Sequence, residues 1–257
     1  MNQKNKHVVA LIVVRMGSSR LPGKVMKPIL NKPVLGYLIE RAQRSKLIDQ
    51  IVVTTSINSE NDTIEAYCRA NNVACFRGSE DDVLGRMSEA LKTYQADVGV
   101  TIFGDGPLND PDLMDQIIGF YLDHSDEYDF VGSNLKTTFP PGQETEVYSY
   151  QAMKSASSRA MDADVRENGT LYIRQNSDLY RLFNVEANED LHYPEMEMEL
   201  DTEEDFIVLK KTVEHLYPKN PEFTVYDVIN FLTEHPEISA INKSVPRRWK
   251  ALRSDVI

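Results

Sequence analysis

Arg15, Arg20 and Lys24 fall within one short stretch, RMGSSRLPGK, directly after the apolar run VVALIVV. Met16, Gly17, Ser18 and Ser19 separate the first two cations. Guanidinium and ammonium groups make charge-assisted hydrogen bonds to phosphate oxygens, and they stabilise the charge that a departing pyrophosphate gathers. Three of them around accessible backbone amides therefore suit a triphosphate that is to be cleaved. The spacing excludes the two standard phosphate loops. A Walker A loop needs four residues between its glycines and a hydroxyl after the lysine. Here five residues separate Gly17 from Gly23, and Val25 follows Lys24. No G-x-G-x-x-G follows the first strand either, and GDGPLN at Gly104 lacks the third glycine of that fingerprint. The plain alternative is a solvated basic turn.

A second set of residues carries negative charge. Asp105 follows the apolar run VGVTIF, and Asp201 follows MEMEL, read here as a strand with Glu199 on the same face. Hard oxygen ligands at two strand ends suit magnesium, which keeps waters and takes one or two carboxylates beside phosphate oxygens. Asp201 also precedes TEEDF, where it would equally serve as a helix N-cap.

Positioning these groups requires a scaffold, and the chain supplies an alternating one. Through about residue 132, short apolar runs (VVALIVV, QIVVTT, VACF, VGVTIF, YDFVGS) alternate with amphipathic segments (PVLGYLIERAQR, DTIEAYCRANN, DDVLGRMSEALKTY, PDLMDQIIGFYLDH). That alternation predicts an α/β fold, a mostly parallel sheet with helices on both faces, whose ligands lie beyond the carboxyl ends of the strands. RMGSSRLPGK and FGDGPLNDPD both fall there. From about residue 138 the pattern loosens into TEVYSY, a helix near 151–161, TLYIRQN, YRLFNVEA and MEMEL, read as an antiparallel insertion returning to the sheet. Two helices, in TEEDFIVLKKTVEHL and TVYDVINFLTEH, follow it. With 257 residues, 41% hydrophobic, and no repeat or linker, one domain over 1–257 is expected.

The formal net charge of −12 argues against a nucleic-acid or anionic-membrane surface, so basic chemistry must be local. No run approaches the roughly 20 apolar residues of a membrane span. Cys68 and Cys75 fit no zinc motif and are read as reduced thiols of a cytoplasmic protein. The five histidines show no paired-ligand spacing, and no G-x-S-x-G elbow signals a covalent nucleophile. The basic VPRRWKALR near the end is read as a docked tail or partner contact.

RMGSSRLPGKVMKPI resembles the signature loop of the cytidylyltransferases that activate acidic sugars: acylneuraminate and 3-deoxy-octulosonate enzymes and their spore-coat polysaccharide relatives. The likeness continues in order through VVTTSINSENDTIEAYCRANNVACFRGSEDDVLGRM, FGDGPLNDPDLMD, RENGTLYI and ELDTEEDF. It implies a three-layer, Rossmann-like nucleotidyltransferase (GT-A-like) fold. It also implies transfer of CMP from CTP to an acidic sugar, with Mg2+ and release of pyrophosphate.

On that likeness Arg15 and Lys24 match the triphosphate-binding positions, with Met16, Gly17, Ser18 and Arg20 in the same loop. Arg77 matches a further nucleotide position, and Gly78 and Ser79 follow it toward base or ribose; the plain alternative pairs Arg77 with Glu80 or Asp81. Asp105 and Asp201, with Glu199, match the metal side, and Arg15, Lys24 and Asp105 make the catalytic set. Arg166 and Asn168 in RENG match an acceptor segment, where the fork of Arg166 suits a carboxylate, unless it pairs with Glu167 or Asp164. Gln143, Glu144 and Glu146 in FPPGQETEVYSY match a substrate-side segment. The insertion, roughly 138–200, resembles a dimer arm and implies a homodimer.

The motifs mix branches: Asp105 is octulosonate-like but Gly106 follows it. The acceptor therefore stays open. A sugar phosphate or phosphonate acceptor, a glycosyltransferase-like use of a finished nucleotide sugar, and a non-catalytic nucleotide-binding role are the rival readings.

Overall fold

Strand β1 (Val8–Val13) is apolar throughout because both its faces are covered. Val8, Ala10 and Ile12 enter one hydrophobic cluster, Val9 and Leu11 the other, as the two-residue period of a strand dictates. The computed structural model describes residues 6–247 and 250. After β1 and its loop, a hairpin of β2 (Pro28–Ile29) and β3 (Lys32–Pro33) delivers the chain into helix α1 (Val34–Ala42). Alternation then runs through β4 (Gln50–Ser56), α2 (Asp62–Ala70), β5 (Ala74–Gly78), α3 (Val83–Thr93), β6 (Val98–Phe103), α4 (Pro111–Asp123) and β7 (Phe130–Gly132). The insertion supplies β8 (Thr145–Ser149), α5 (Tyr150–Arg159), α6 (Ala163–Glu167), α7 (Leu171–Gln175) and β9 (Leu182–Asn184). Helices α8 (Glu203–Leu216), α9 (Val225–Glu234) and α10 (Pro236–Ser239) complete the order.

The main sheet runs β5-β4-β1-β6-β8-β7-β9, and β8 alone opposes its neighbours. Helices α1, α2, α4, α8 and α9 cover one face with residues such as Leu38, Ile64, Ile117, Leu209 and Ile229. Helices α3, α5 and α7 cover the other with Leu84, Met87, Met153 and Ile173. The result is the expected three-layer, mostly parallel architecture. No described helix is long and apolar enough to cross a membrane, and Cys68 and Cys75 carry no disulfide.

Two pieces of the insertion differ from the sequence reading. TLYIRQN forms α7, a helical turn that buries Leu171 and Ile173. MEMEL is no strand: despite its period-two alternation, its backbone bonds the rest of the fold only at isolated points. The Met198 N–H donates to the Pro141 carbonyl at 2.8 Å and the Leu200 N–H to the Asp105 carbonyl at 2.7 Å.

This hooked segment brings Glu199 and Asp201 beside the β6 end, and two glycines permit the approach. A Cβ on Gly142, whose φ is +101°, would come within 2.8 Å of the Met198 carbonyl carbon, and one on Gly106 within 2.7 Å of the Gly142 carbonyl oxygen. Neither neighbour is a side chain that can move aside.

Candidate active site

Past β1 the chain folds back on one carbonyl. The Ser18 and Gly23 N–H groups both donate to Met16 O, at 2.9 and 2.8 Å, and the Met16 N–H donates to Asn61 Oδ1 at 2.8 Å. Buried Leu21 and Val25 pin the loop to the core. Its cations thereby turn toward a cavity of about 370 Å3 at the carboxyl ends of β1 and β6. Arg15, Ser18, Arg20 and Lys24 line one wall, and Asp105, Glu199 and Asp201 line another. Glu144, Glu146 and Asn168 close the insertion side. Met16 and Gly17 shape the loop from behind, away from the cavity.

The electrostatics are those of paired opposites. The Lys24 ammonium donates to Asp201 Oδ1 at 2.9 Å and to the Leu200 carbonyl at 2.6 Å, while Arg20 bonds Asp201 Oδ2. Arg15 reaches Glu80 at 3.1 Å and Glu167 at 3.0 Å. Burial works against the charge of Arg15, but the two carboxylates outweigh it and raise the pKa. Asp105 is open to water through the cavity yet enclosed by protein. Burial leads the rise of its carboxyl above the usual range, Lys24 opposes the rise, and the charges of Asp201 and Glu144 add to it. Three carboxyl groups, Asp105, Glu144 and Asp201, thus face one cavity, a charge arrangement with room for a cation. Among the described residues no three His, Cys, Asp or Glu side chains form a complete metal cage. Asp105 and Asp201 would be two oxygen donors to an ion whose remaining positions phosphate and water would fill, which fits a hard divalent cation rather than a structural metal.

The insertion side is a hydrogen-bonded network. Glu146, fully buried, accepts from Asn134 Nδ2 at 2.8 Å and Thr170 Oγ1 at 2.7 Å, and lies 3.6 Å from Arg174 Nε. Gln143 is turned away from the cavity and ties loops together: its amide nitrogen donates to the Leu108 carbonyl and its oxygen accepts from the Asp110 N–H.

Two arginines fall elsewhere than expected. Arg166 does not reach the cavity, nor does it pair with Glu167 or Asp164; it donates to the Ser157 and Ala160 carbonyls at 2.8 Å and to Asp82 Oδ2 at 2.7 Å, locking α6 to the ends of α5 and α3. Arg77 bonds Asp62 and Glu65 of α2 and the Ser56 and Asn58 carbonyls, not Glu80 or Asp81. Gly78 and Ser79 instead seat an arginine the sequence reading passed over. A Cβ at Gly78 would crowd Arg86 Cγ to 2.9 Å, and the Ser79 carbonyl accepts from Arg86 at 2.6 Å. Arg86 lines the cavity, is 3% exposed, and has a buried Nε without a hydrogen-bond partner; burial pulls its pKa down to about 10. Its signal was a cation within the buried run Val83, Leu84, Met87, Ala90 of α3. Arg174, also in the cavity wall, was equally legible after the buried Leu171 and Ile173.

The basic end behaves as a docked tail at Arg247, whose guanidinium is buried against Asp205 and Glu197; Arg248 and Trp249 lie outside the described residues.

Comparison with known proteins agrees with this geometry. The chain is 31% identical over 238 residues to the spore coat polysaccharide biosynthesis protein SpsF of Bacillus subtilis, covering 90% of this chain and 95% of that one. A cytidylyltransferase structure from Leptospira borgpetersenii superposes with a TM-score of 0.87 at 29% identity, over 94% of this chain and all of that one. The fold is shared too with a CMP:2-keto-3-deoxy-manno-octonic acid synthetase solved with CTP, at a TM-score of 0.60 and 16% identity, over 80% of this chain and 98% of that one. Residues 9–229 match the family model described as cytidylyltransferase, and the chain belongs to that family of nucleotidyltransferases.

Proposed function

We propose that this protein transfers CMP from CTP to an acidic sugar of the nonulosonate or octulosonate type, releasing pyrophosphate, in surface polysaccharide synthesis. One observation carries the reading: the first-loop cations Arg15, Arg20 and Lys24 share a single cavity with Asp105 and Asp201. Arg15, Lys24 and Arg86 bind the triphosphate, in exchange for their present carboxylate and carbonyl partners. Asp105 and Asp201, with Glu199 beside them, would hold Mg2+, which would supply neutralisation of phosphate charge. The acceptor hydroxyl oxygen forms a bond to the α-phosphorus and gives up its proton to solvent water, as the α–β bridging oxygen leaves with pyrophosphate. Positioning and fixed charge suffice for such a step, without a covalent enzyme intermediate.

On the acceptor side, Glu144, Glu146 and Asn168 meet hydroxyls, and Arg174 takes the acid-facing position expected of Arg166. The name of SpsF supports the polysaccharide setting, and the octonic acid synthetase supports the acid class. The exposed Met161 and Leu179 of the insertion support a homodimer, which sedimentation would detect, and the use of CTP supports a cytoplasmic setting.

The reading is tested by pyrophosphate release from CTP, UTP, ATP and GTP with Mg2+ against a panel of 2-keto sugar acids. Release that requires CTP and one acid, and that vanishes in Asp105→Ala, is the expected result. Release with sugar phosphates alone would overturn the acceptor assignment, and CTP binding without turnover of any acceptor would overturn the transfer.

A further inference from the structure

We propose that Asn242, Pro246 and Arg247, three residues of the C-terminal strap, are a working part of the catalytic site, with Arg247 a positioning residue for Asp201. The proposal rests on the reading of Asp201 as a metal ligand.

The strap grips Asp201 from two sides. On the backbone side, the Asp201 N–H donates to Asp205 Oδ2 at 3.0 Å, beside the Thr202 N–H at 2.9 Å. Asp205 is the third residue of α8, and with Thr202 it already closes a capping box. Such a box is self-sufficient, yet Asp205 takes three more donors, all from the strap. Asn242 Nδ2 reaches Oδ1 at 2.8 Å, and the Arg247 fork reaches Oδ1 at 2.7 Å and Oδ2 at 3.1 Å. On the side-chain side, Arg20 bonds Asp201 with one nitrogen and the Pro246 carbonyl, at 3.2 Å, with the other. Adjacent residues of one strap thus hold both the backbone and the carboxylate partner of Asp201.

Stability of the cap does not explain this arrangement. A carboxylate at a helix N-terminus is already favoured by the helix dipole. Burying a guanidinium to meet it carries a desolvation cost that cancels much of the Coulomb gain, so a buried pair is better understood as fixing a register than as adding stability. The Arg247 side chain is 2% exposed and also lies 3.3 Å from Glu197. The register it fixes is that of residues 197–205, which have no strand ladder of their own and which carry Glu199 and Asp201 to the cavity. Partners that orient a metal ligand typically govern metal affinity by roughly 10- to 100-fold.

The test measures two quantities in Arg247→Ala, Arg247→Lys and, as a control on the exposed side of the strap, Lys243→Ala. One is the Mg2+ concentration for half-maximal pyrophosphate release. The other is CTP affinity by calorimetry with and without Mg2+. The expected result is a roughly 10- to 100-fold higher Mg2+ requirement in Arg247→Ala, CTP affinity without Mg2+ within about threefold of the parent, and no change in Lys243→Ala. Arg247→Lys keeps the charge but loses the fork, and falls between; it decides the matter if the alanine variant does not fold. An unchanged Mg2+ requirement, with or without a lowered Tm, overturns the proposal and leaves Arg247 as an anchor. If the parent protein turns over no acceptor, the transfer reading fails, yet calorimetry still decides the strap. If Mg2+ does not affect CTP binding in the parent, the metal role of Asp201 fails and takes the strap with it.

Discussion

Arg77 and Arg86 stand at the two ends of the β5–α3 connection, and their surroundings divide their work. Arg77 has two carboxylates and two carbonyls as partners at the surface. Arg86 is buried against the cavity with one carbonyl bond and an unpartnered Nε. A buried guanidinium so sparsely paired carries a desolvation cost that an arriving anion offsets. Replacement of Arg86 by Ala should therefore raise the KM for CTP by about 10- to 100-fold, as loss of a hydrogen bond of about 1.5–3 kcal/mol to a charged group implies. Arg77→Ala should leave that KM within about twofold, since changes away from the ligand are usually small. Steady-state titration of CTP in both variants checks the pair, and the reverse pattern would return Arg77 to the site. Residue types and local spacing singled out Arg15, Lys24, Asp105 and Asp201, and all four line one cavity because each lies in a short loop or hook beside it. Arg166 was misplaced because its partner Asp82 is remote in sequence: a motif specifies a side chain but not the distant group that binds it.

Element identity followed the hydrophobic period wherever burial was two-sided or one-sided over many residues. β1, β4 and β6 are apolar runs because helices cover both faces, and α1 to α4 show the complementary stripe. The reading weakened from 138 onward, where elements are short and pairing is decided by remote neighbours. MEMEL alternates like a strand but meets no partner strand, and TLYIRQN is a single helical turn. The sheet edge illustrates how such short elements are held. β9 pairs with β7 over three residues, Phe130 with Leu182 through Gly132 with Asn184. The Arg181 fork adds two bonds to the Asp129 carboxylate, both at 3.0 Å, and the Arg181 N–H a third. Arg181 holds the Asp129 carboxyl below the usual carboxylate range. A carboxylate with a depressed folded-state pKa contributes fully above its unfolded value of about 3.9, and loses that contribution as pH falls through the folded value. Hydrogen-exchange protection of the β9 amides should accordingly fall below about pH 4 in the parent. In Asp129→Asn it should start lower and be flat over the same window. The effect is modest because half of Arg181 is open to solvent and screened. A parent profile flat to pH 2 would remove the pair as the device that holds β9.

At the scale of the whole molecule the cavity is where separate parts of the chain meet. Its walls come from the first loop, the β6 end, the insertion and the 199–201 hook, and the C-terminal strap ties that hook down through Asp205. Against a net charge of −12 the attraction for a triphosphate must be local, and the first-loop cations Arg15, Arg20 and Lys24 are all paired with carboxylates. A ligand that binds across all these parts stabilises the fold as one unit, by RT ln(1 + [L]/Kd), or about 2.7 kcal/mol at a hundred times Kd. For a domain of this size each kcal/mol moves Tm by roughly 2–4 °C. CTP with Mg2+ at that concentration should thus raise a single calorimetric transition by about 5–10 °C, and UTP at equal concentration by clearly less. Two transitions, of which only one moves, would show that the insertion or the C-terminal helices fold apart from the site, and that the chain is not one domain.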